Sequence, residues 1–241
     1  MPRLPAPFAR MIQAHGKPCT VTEIEDLSPR LRRVHLAGEG LRGHAWAPCQ
    51  VTTFLVSPTE FRRYTPDAFD PAAGRMSILI YRHGVGVAGP RSPGEAWLDT
   101  LAVGQQATAI GLEATRGFRA PTAAGSVLVC GDATTVGLWH SMIRYLGEQT
   151  RVCGVIEVPP EDVSLVQDLL PGVQVIAQTA QPGQAVLSRL NDTPTGQVTR
   201  AYLSGHGQTI QKARALVRTR YGLERSAIHT QPYWATGKVG L

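Results

Sequence analysis

Ser126-Val127-Leu128-Val129-Cys130-Gly131-Asp132 is an apolar run that closes on a glycine and an acid. A short, unbroken apolar stretch of this kind reads as a strand buried on both faces. Outward from it the pattern repeats. Val136 to Leu146 has helical periodicity, and Arg151 to Val158 is a second apolar strand. Glu161 to Leu170 reads as a helix, Val173 to Ala177 as a third strand, and Gly183 to Leu190 as a short helix. Ala201 to Ser204 is a fourth strand ending in Gly205-His206-Gly207, and Gln208 to Tyr221 is a helix stopped by Gly222. Strands alternating with helices predict a parallel sheet with crossover helices, an open α/β domain. Ligands of such sheets sit at the carboxyl ends of the strands. Here those ends are Gly131-Asp132 and Gly205-His206-Gly207. Neither is a GxGxxG fingerprint, so position alone marks a nucleotide site.

Toward the N-terminus the character changes. Lys17 to Leu27 and Leu31 to Leu36 alternate, Val51 to Val56 and Arg75 to His83 are strand-like, and Gln106 to Gly111 is short. Gly38-Glu39-Gly40, Ser57-Pro58 and Gly84 to Gly89 punctuate them as turns. Short strands separated by Gly and Pro predict an antiparallel β-barrel, interrupted by a helix over Glu95 to Ala102. The boundary falls in the Pro/Ala/Gly-rich stretch Arg119 to Gly125, giving domains of residues 1–120 and 121–241.

Hydrophobic residues make up 43% of the 241-residue chain, enough for real cores and against disorder. A net charge of +6 favours anionic partners. The only dense basic stretches are Arg30 to Arg33 and Arg62-Arg63, too short for a nucleic-acid surface. Cys19, Cys49, Cys130 and Cys153 have neither CxxC nor zinc spacing and read as buried thiols of a reducing, cytoplasmic compartment. Met1 to Ile12 lacks a signal-peptide core, and no run is long enough to span a membrane. A monomer is expected.

Three stretches carry candidate chemistry. In Arg62-Arg63-Tyr64-Thr65-Pro66, Arg62 suits a phosphate, Tyr64 offers a stacking face, and Thr65 offers a hydroxyl to a ring nitrogen. His83 to Ser92, with Gly89, Arg91 and Ser92, is a glycine-rich loop entering a helix, where unpaired N–H groups attract a diphosphate. Tyr233-Trp234-Ala235-Thr236-Gly237-Lys238 places an aromatic pair near the chain's end, where chains usually fray. Read singly, each also fits a bland account: a solvated strand-end turn, a plain hairpin loop, and a tail packed on its own core. Glu161-Asp162 is explained by a helix N-terminus.

RRYTP, HGVGVAGPRS with the later Trp97, VLVCGDATT, YLSGHGQTIQKARALVRTRYGLERSAI and PYWATG occur in the order found in siderophore-interacting proteins, and the chain resembles that family from about residue 17 to 240. These are flavin-dependent ferric-siderophore reductases related to ferredoxin reductases. The resemblance implies an N-terminal antiparallel FAD-binding β-barrel followed by an open parallel-sheet NAD(P)-binding-like domain. It implies that Arg62 meets the FAD phosphates, Tyr64 stacks on the isoalloxazine, and Thr65 lies near its redox-active edge. His83 and Gly89-Pro90-Arg91-Ser92 correspond to the segment cradling the diphosphate and adenosine. Gly131, Asp132 and Thr134 correspond to a segment written GDET, facing nicotinamide or flavin. Tyr233, Trp234 and Gly237 correspond to a terminal segment that returns beside the flavin.

The implied reaction passes electrons from NAD(P)H, or from a reduced ferredoxin, through FAD to a ferric chelate, releasing Fe(II). Arg63 and Lys238 are candidates for attracting an anionic chelate, and no protein metal site is implied. The chain departs from the family at Asp67, where an arginine is usual, at Ala133, where GDET has its acid, at His206, where a glutamate is usual, and in a longer loop between His83 and Trp97. Two alternatives stay open on the same scaffold: a general flavin or quinone reductase, and a non-catalytic binding protein.

Overall fold

The alternating N-terminal segments form the expected strands in the computed structural model, which describes residues 16–85, 91–114, 117–122, 125–192 and 198–238. The chain divides into two compact units, Met1–Ala114 and Thr115–Leu241.

In the first unit, β1 (Lys17–Asp26), β2 (Leu31–Ala37), β3 (Gln50–Ser57), β4 (Glu60–Tyr64), β5 (Pro66–Asp70), β6 (Arg75–Tyr81) and β7 (Gln106–Ala114) form one sheet in the order β4-β3-β7-β1-β2-β6-β5. Every neighbouring pair is antiparallel. The two edge strands, β4 and β5, are separated in sequence by Thr65 alone, so the chain itself joins the sheet's edges and curls it into a barrel. Inward residues of alternating strands, among them Val21, Val34, Leu36, Phe54, Ile78 and Ile80, make its core. Helix α1 (Pro93–Thr100) adds Leu98 to that core.

Helix α1 starts two residues before the expected Glu95 because its entry chemistry is complete there. The Ser92 hydroxyl accepts from Glu95 N at 3.3 Å, Ser92 N donates to Glu95 Oε2 at 3.1 Å, and Pro93 opens the first turn. This capping box satisfies donors that a short helix otherwise leaves bare. Ser92→Ala is expected to cost about 1 kcal/mol, read as a lowered denaturant midpoint.

In the second unit, β8 (Gly125–Asp132), β9 (Thr150–Val158), β10 (Val173–Ala177), β11 (Arg200–His206) and β12 (Ile228–Trp234) form a wholly parallel sheet in the order β10-β9-β8-β11-β12. Helices α2 (Val136–Leu146), α3 (Val163–Leu169), α4 (Gln184–Asp192) and α5 (Gly207–Tyr221) connect the strands. The opening apolar run is buried from Val127 to Asp132, as a central strand covered on both faces requires. One core is built from Leu128, Val155, Leu203 and the helix residues Val186, Leu190, Ile210 and Ala213. Trp139 and Met142 of α2 are also fully buried. Gly222 stops α5 in the left-handed region, with φ 62°.

Three strands differ from the sequence reading. β4, β5 and β12 stand where the sequence reading named no strand. All three are edge strands, where charge and proline are tolerated because one side needs no ladder bonds. Pro66 opens β5, and Pro232 lies in β12. Cys19, Cys49 and Cys130 are buried free thiols and Cys153 is half-buried. Burial raises the pKa of all three buried thiols, that of Cys19 to about 11, so none is a thiolate nucleophile at neutral pH. Among the described residues no helix is long and apolar enough to cross a membrane.

Candidate functional site

The sequence-predicted residues gather into two constellations, one in each unit. In the first, cross-strand pairing sets Arg62 opposite Phe54 and Tyr64 opposite Thr52. The Tyr64 ring stacks on Trp97 of α1, with centroids 6.1 Å apart and planes 19° apart. Phe54 supports both rings, 5.4 Å from Trp97 and 6.1 Å from Tyr64. Burial pushes the Tyr64 hydroxyl up to about 12; the Arg62 guanidinium opposes this and Glu95 reinforces it. Both side chains pack on the first turn of α1. A Cβ at Gly94 would lie 3.2 Å from Arg62 Cγ and 3.3 Å from the Tyr64 hydroxyl oxygen.

Arg62 therefore sits at the positive end of α1, and its Nη1 donates to Phe61 O at 2.9 Å. Glu95 reaches from the capping box to accept from Gly84 N, fastening the turn after β6 to the same helix end. Arg91 is paired with Asp99, which also binds Arg82 at 2.7 Å. The His83 ring meets Tyr81 edge to face at 5.0 Å. Thr65 is buried at the β4–β5 joint, while Arg63 is exposed and alternates away from Arg62. Gly89 lies outside the described residues. A cation beside helix N–H donors suits a diphosphate, and a supported aromatic pair suits a planar ring; these residues fit FAD chemically.

Asp67, one of the departures, has a place in the barrel framework. It is the bulged residue between Pro66 and Ala68. It is 2% exposed, accepts from Ser77 Oγ at 2.6 Å, and pairs with Arg33 Nε at 3.1 Å. Glu23, Glu25 and His35 bring ligand atoms within 4.8 Å of one another on β1 and β2. Glu25 is there tied to His35 and to Arg33, as in a surface ion-pair cluster.

The second constellation lies where β8 and β11 are neighbours and the strand order reverses, the crevice in which open α/β sheets bind ligands. Asp132 organises it. Its Oδ1 accepts from Thr134 N at 2.9 Å and Thr134 Oγ1 at 2.5 Å. Its Oδ2 accepts from His206 N at 2.8 Å and Trp234 Nε1 at 2.9 Å. Gly205 lets the two strands close on this carboxylate: its φ is +105°, and a Cβ would stand 2.4 Å from Asp132 Oδ2. Gly131 is equally confined, since a Cβ there would stand 2.3 Å from Thr135 Oγ1.

The His206 ring lies on Trp234, centroids 4.3 Å apart. Its nitrogens contact Thr209 Oγ1 at 2.8 Å and Thr236 Oγ1 at 3.0 Å. Hydroxyls donate or accept, so the neutral imidazole is satisfied in either tautomer. Gln208 Nε2 binds Thr236 O at 3.0 Å, which completes the fastening of the segment after β12. Lys238 is exposed beyond it. The sequence reading placed Gly205-His206-Gly207 at the ligand end of the sheet and Thr236 in the terminal candidate stretch but gave neither His206 nor Thr236 a role, and it did not single out Thr209. It also missed Trp97 as the partner of Tyr64.

Burial lowers the His206 pKa below 6.5; Asp132 opposes this and Lys212 reinforces it. The unfolded chain then binds the proton more readily. The resulting stability is fully present above pH 6.5 and is lost as pH falls below it toward the lowered folded value. Unfolding free energy is expected to decline there with a slope of at most about 1.4 kcal/mol per pH unit. Denaturant titrations across pH, with His206→Asn expected to lack this component, check it.

The two units have the ferredoxin-reductase-like fold. The structure of phthalate dioxygenase reductase matches with a TM-score of 0.72 at 13% identity, over 94% of this chain and 70% of that one. Residues 124–237, within the second unit, match the family model described as Siderophore-interacting protein. A siderophore utilization protein from T. fusca matches with a TM-score of 0.77 at 21% identity, over 94% of this chain and 95% of that one. The mycobactin import ATP-binding/permease protein IrtA of Mycobacterium tuberculosis is 23% identical over 95% of this chain. The ferric vibriobactin reductase ViuB of Vibrio cholerae is 23% identical over 73% of it. The chain spans 27% of the length of IrtA and 65% of that of ViuB.

Proposed function

We propose that this protein is an FAD-dependent oxidoreductase that reduces ferric siderophores or similar ferric chelates, with NAD(P)H or a reduced ferredoxin as electron donor. The observation that carries the reading is the packing of Arg62 and Tyr64 on the first turn of α1, with Trp97 stacked on Tyr64. Charge recognition and ring recognition thereby occur on one surface of the N-terminal unit. The match of residues 124–237 to the siderophore-interacting family model favours a ferric chelate as acceptor.

The chemistry supplied by bound FAD is hydride acceptance and the release of single electrons. The chain's own part is placement. Arg62 and the α1 N-terminus hold the diphosphate, with Ser92 and Arg91 at the helix entry, and Tyr64 and Thr65 orient the ring system. In the second unit, Gly131, Asp132, Thr134 and Trp234 shape the crevice for the donor nucleotide. Arg63 and Lys238 attract the anionic chelate. Fe(III) held by hard oxygen ligands is released on reduction because Fe(II) is bound far less tightly.

The test is the visible absorption spectrum of the purified protein with added FAD, followed by anaerobic bleaching with NADH or NADPH and reoxidation by a ferric siderophore. Flavin bands that persist through gel filtration, bleach and return with Fe(II) formation are the expected result. A colourless protein that ignores FAD overturns the reading. Reoxidation by quinones but not by ferric chelates transfers the activity to the general-reductase alternative.

A further inference from the structure

We propose that Thr209 holds His206 as its Nδ1–H tautomer, and that His206 thereby sets the polarity of the exposed Thr236 hydroxyl: an acceptor toward solvent while the ring is neutral, a donor once it is protonated. Every residue of this relay lies in the second unit, and none depends on the proposed flavin chemistry.

The relay starts at the entry to α4. Thr209, in the first turn of α5, is 8% exposed. Its hydroxyl is closely boxed: a Cβ at Gly183 would lie 1.9 Å from Thr209 Oγ1, and the Gly183 φ is +81°. Glycine alone admits the hydroxyl there. Thr209 Oγ1 donates to Pro182 O at 3.4 Å. A hydroxyl has one proton, so with that proton on Pro182 it can only accept from His206 Nδ1, 2.8 Å away. Two hydroxyls alone satisfy either tautomer, and Pro182 decides between them. Nδ1 carries the ring proton, and Nε2 is left as a lone pair 3.0 Å from Thr236 Oγ1. Thr236 is therefore the donor of that bond. In the opposite tautomer the Thr209 proton turns to Nδ1, and Pro182 O loses it.

Thr236 is fixed by its backbone and free at its side chain. Gln208 Nε2 donates to Thr236 O at 3.0 Å, and Thr236 N donates to Gln208 Oε1 at 3.2 Å. With the hydroxyl proton turned inward to His206, its remaining lone pair faces solvent, and a group that reaches it there has to donate. Protonation at Nε2 inverts this. The new N–H donates to Thr236 Oγ1, whose proton turns outward, and an arriving group then has to accept. Burial lowers the His206 pKa, opposed by Asp132 of β8 and reinforced by Lys212 of α5, so the acceptor form is the one present at neutral pH. From β12 the ring meets the indole of Trp234, and Lys238 is exposed two residues beyond Thr236.

A nitrogen-15 imidazole correlation spectrum of the full chain in mildly alkaline buffer tests this, with His206→Asn assigning the resonance pair by its loss. His206 is expected to be protonated at Nδ1, the reverse of the form that free histidine prefers. Thr209→Val removes the acceptor and keeps the shape; it is expected to shift the ratio of the two tautomers at least about fivefold toward Nε2–H, while Thr209→Ser keeps Nδ1–H. Thr236→Val is expected to move the unprotonated Nε2 downfield, because its lone pair loses a donor, and to leave Nδ1 in place. An Nε2–H ring in the unaltered protein overturns the proposal, whether or not any variant folds. Nδ1–H persisting unchanged in Thr209→Val overturns the part given to Thr209. An unmoved Nε2 in Thr236→Val overturns the polarity given to Thr236.

Discussion

Asp132→Ala is expected to destabilise the C-terminal unit by about 3–4 kcal/mol and to release Trp234 from its fixed position. The carboxylate accepts four hydrogen bonds, two per oxygen. Removing it costs little at Thr134, which is half-buried and can turn to water. The larger loss falls on His206 N, which is buried, and on Trp234 Nε1, whose donor faces the same oxygen. An unmatched buried donor costs the full desolvation of the group rather than the modest net value of a made bond. Asp132→Asn does not restore the site: whichever way the amide turns, its NH2 faces a pair of donors. Recovery is expected to be less than half. The local readout is the indole N–H resonance of Trp234 in a nitrogen-15 spectrum. Loss of the charge-assisted bond should move it upfield in both variants, while the resonance of Trp139, which has no acceptor, stays. An unmoved Trp234 resonance in Asp132→Ala would show that the carboxylate does not hold the ring.

The residues least ambiguous in sequence are those whose environment is simplest. Val127 to Cys130 are apolar without interruption because β8 is covered on both faces, and that single fact implies a parallel sheet. Gly222 and Gly205 could be read as punctuation because left-handed or positive-φ backbone demands glycine. The edge strands β4, β5 and β12 were illegible for the opposite reason: half of their backbone needs no partner, so Arg62, Arg63, Pro66 and Pro232 are permitted there and the alternation disappears. Site partnerships were hidden more deeply. Barrel closure brings Tyr64 to Trp97, and the end of β11, lying between β8 and β12, lets Trp234 reach Asp132 across it; neither pair leaves a local pattern. Asp67, the departure from the family's usual arginine, has a framework role that no local pattern announces: its side chain ties the β5 bulge to Ser77 and Arg33.

Trp97→Ala is expected to cost the N-terminal unit about 3 kcal/mol, near the lower end for a large aromatic because the ring is half-buried. Its importance is its position. Trp97 is at once a wall of the barrel core, through Phe54, and the stacking partner of Tyr64. Truncation leaves Phe54 facing a void and removes the surface that fixes the Tyr64 ring against the first turn of α1. Hydrogen exchange is the measurement that separates this from general loosening. Amides of α1, β3 and β4 are expected to exchange up to roughly a hundredfold faster, while those of the parallel sheet are unaffected. Under the proposed function, FAD affinity falls with it by about tenfold, since the ring-binding surface is then mobile. Trp97→Phe keeps an aromatic face over Phe54 and is expected to recover most of the protection. Recovery of protection without recovery of FAD affinity would mean that the indole contributes to the flavin surface beyond supporting Tyr64. Unchanged FAD affinity in Trp97→Ala, with the exchange increase present, would place the flavin away from the Tyr64–Trp97 pair and leave the stack a purely structural element of the barrel.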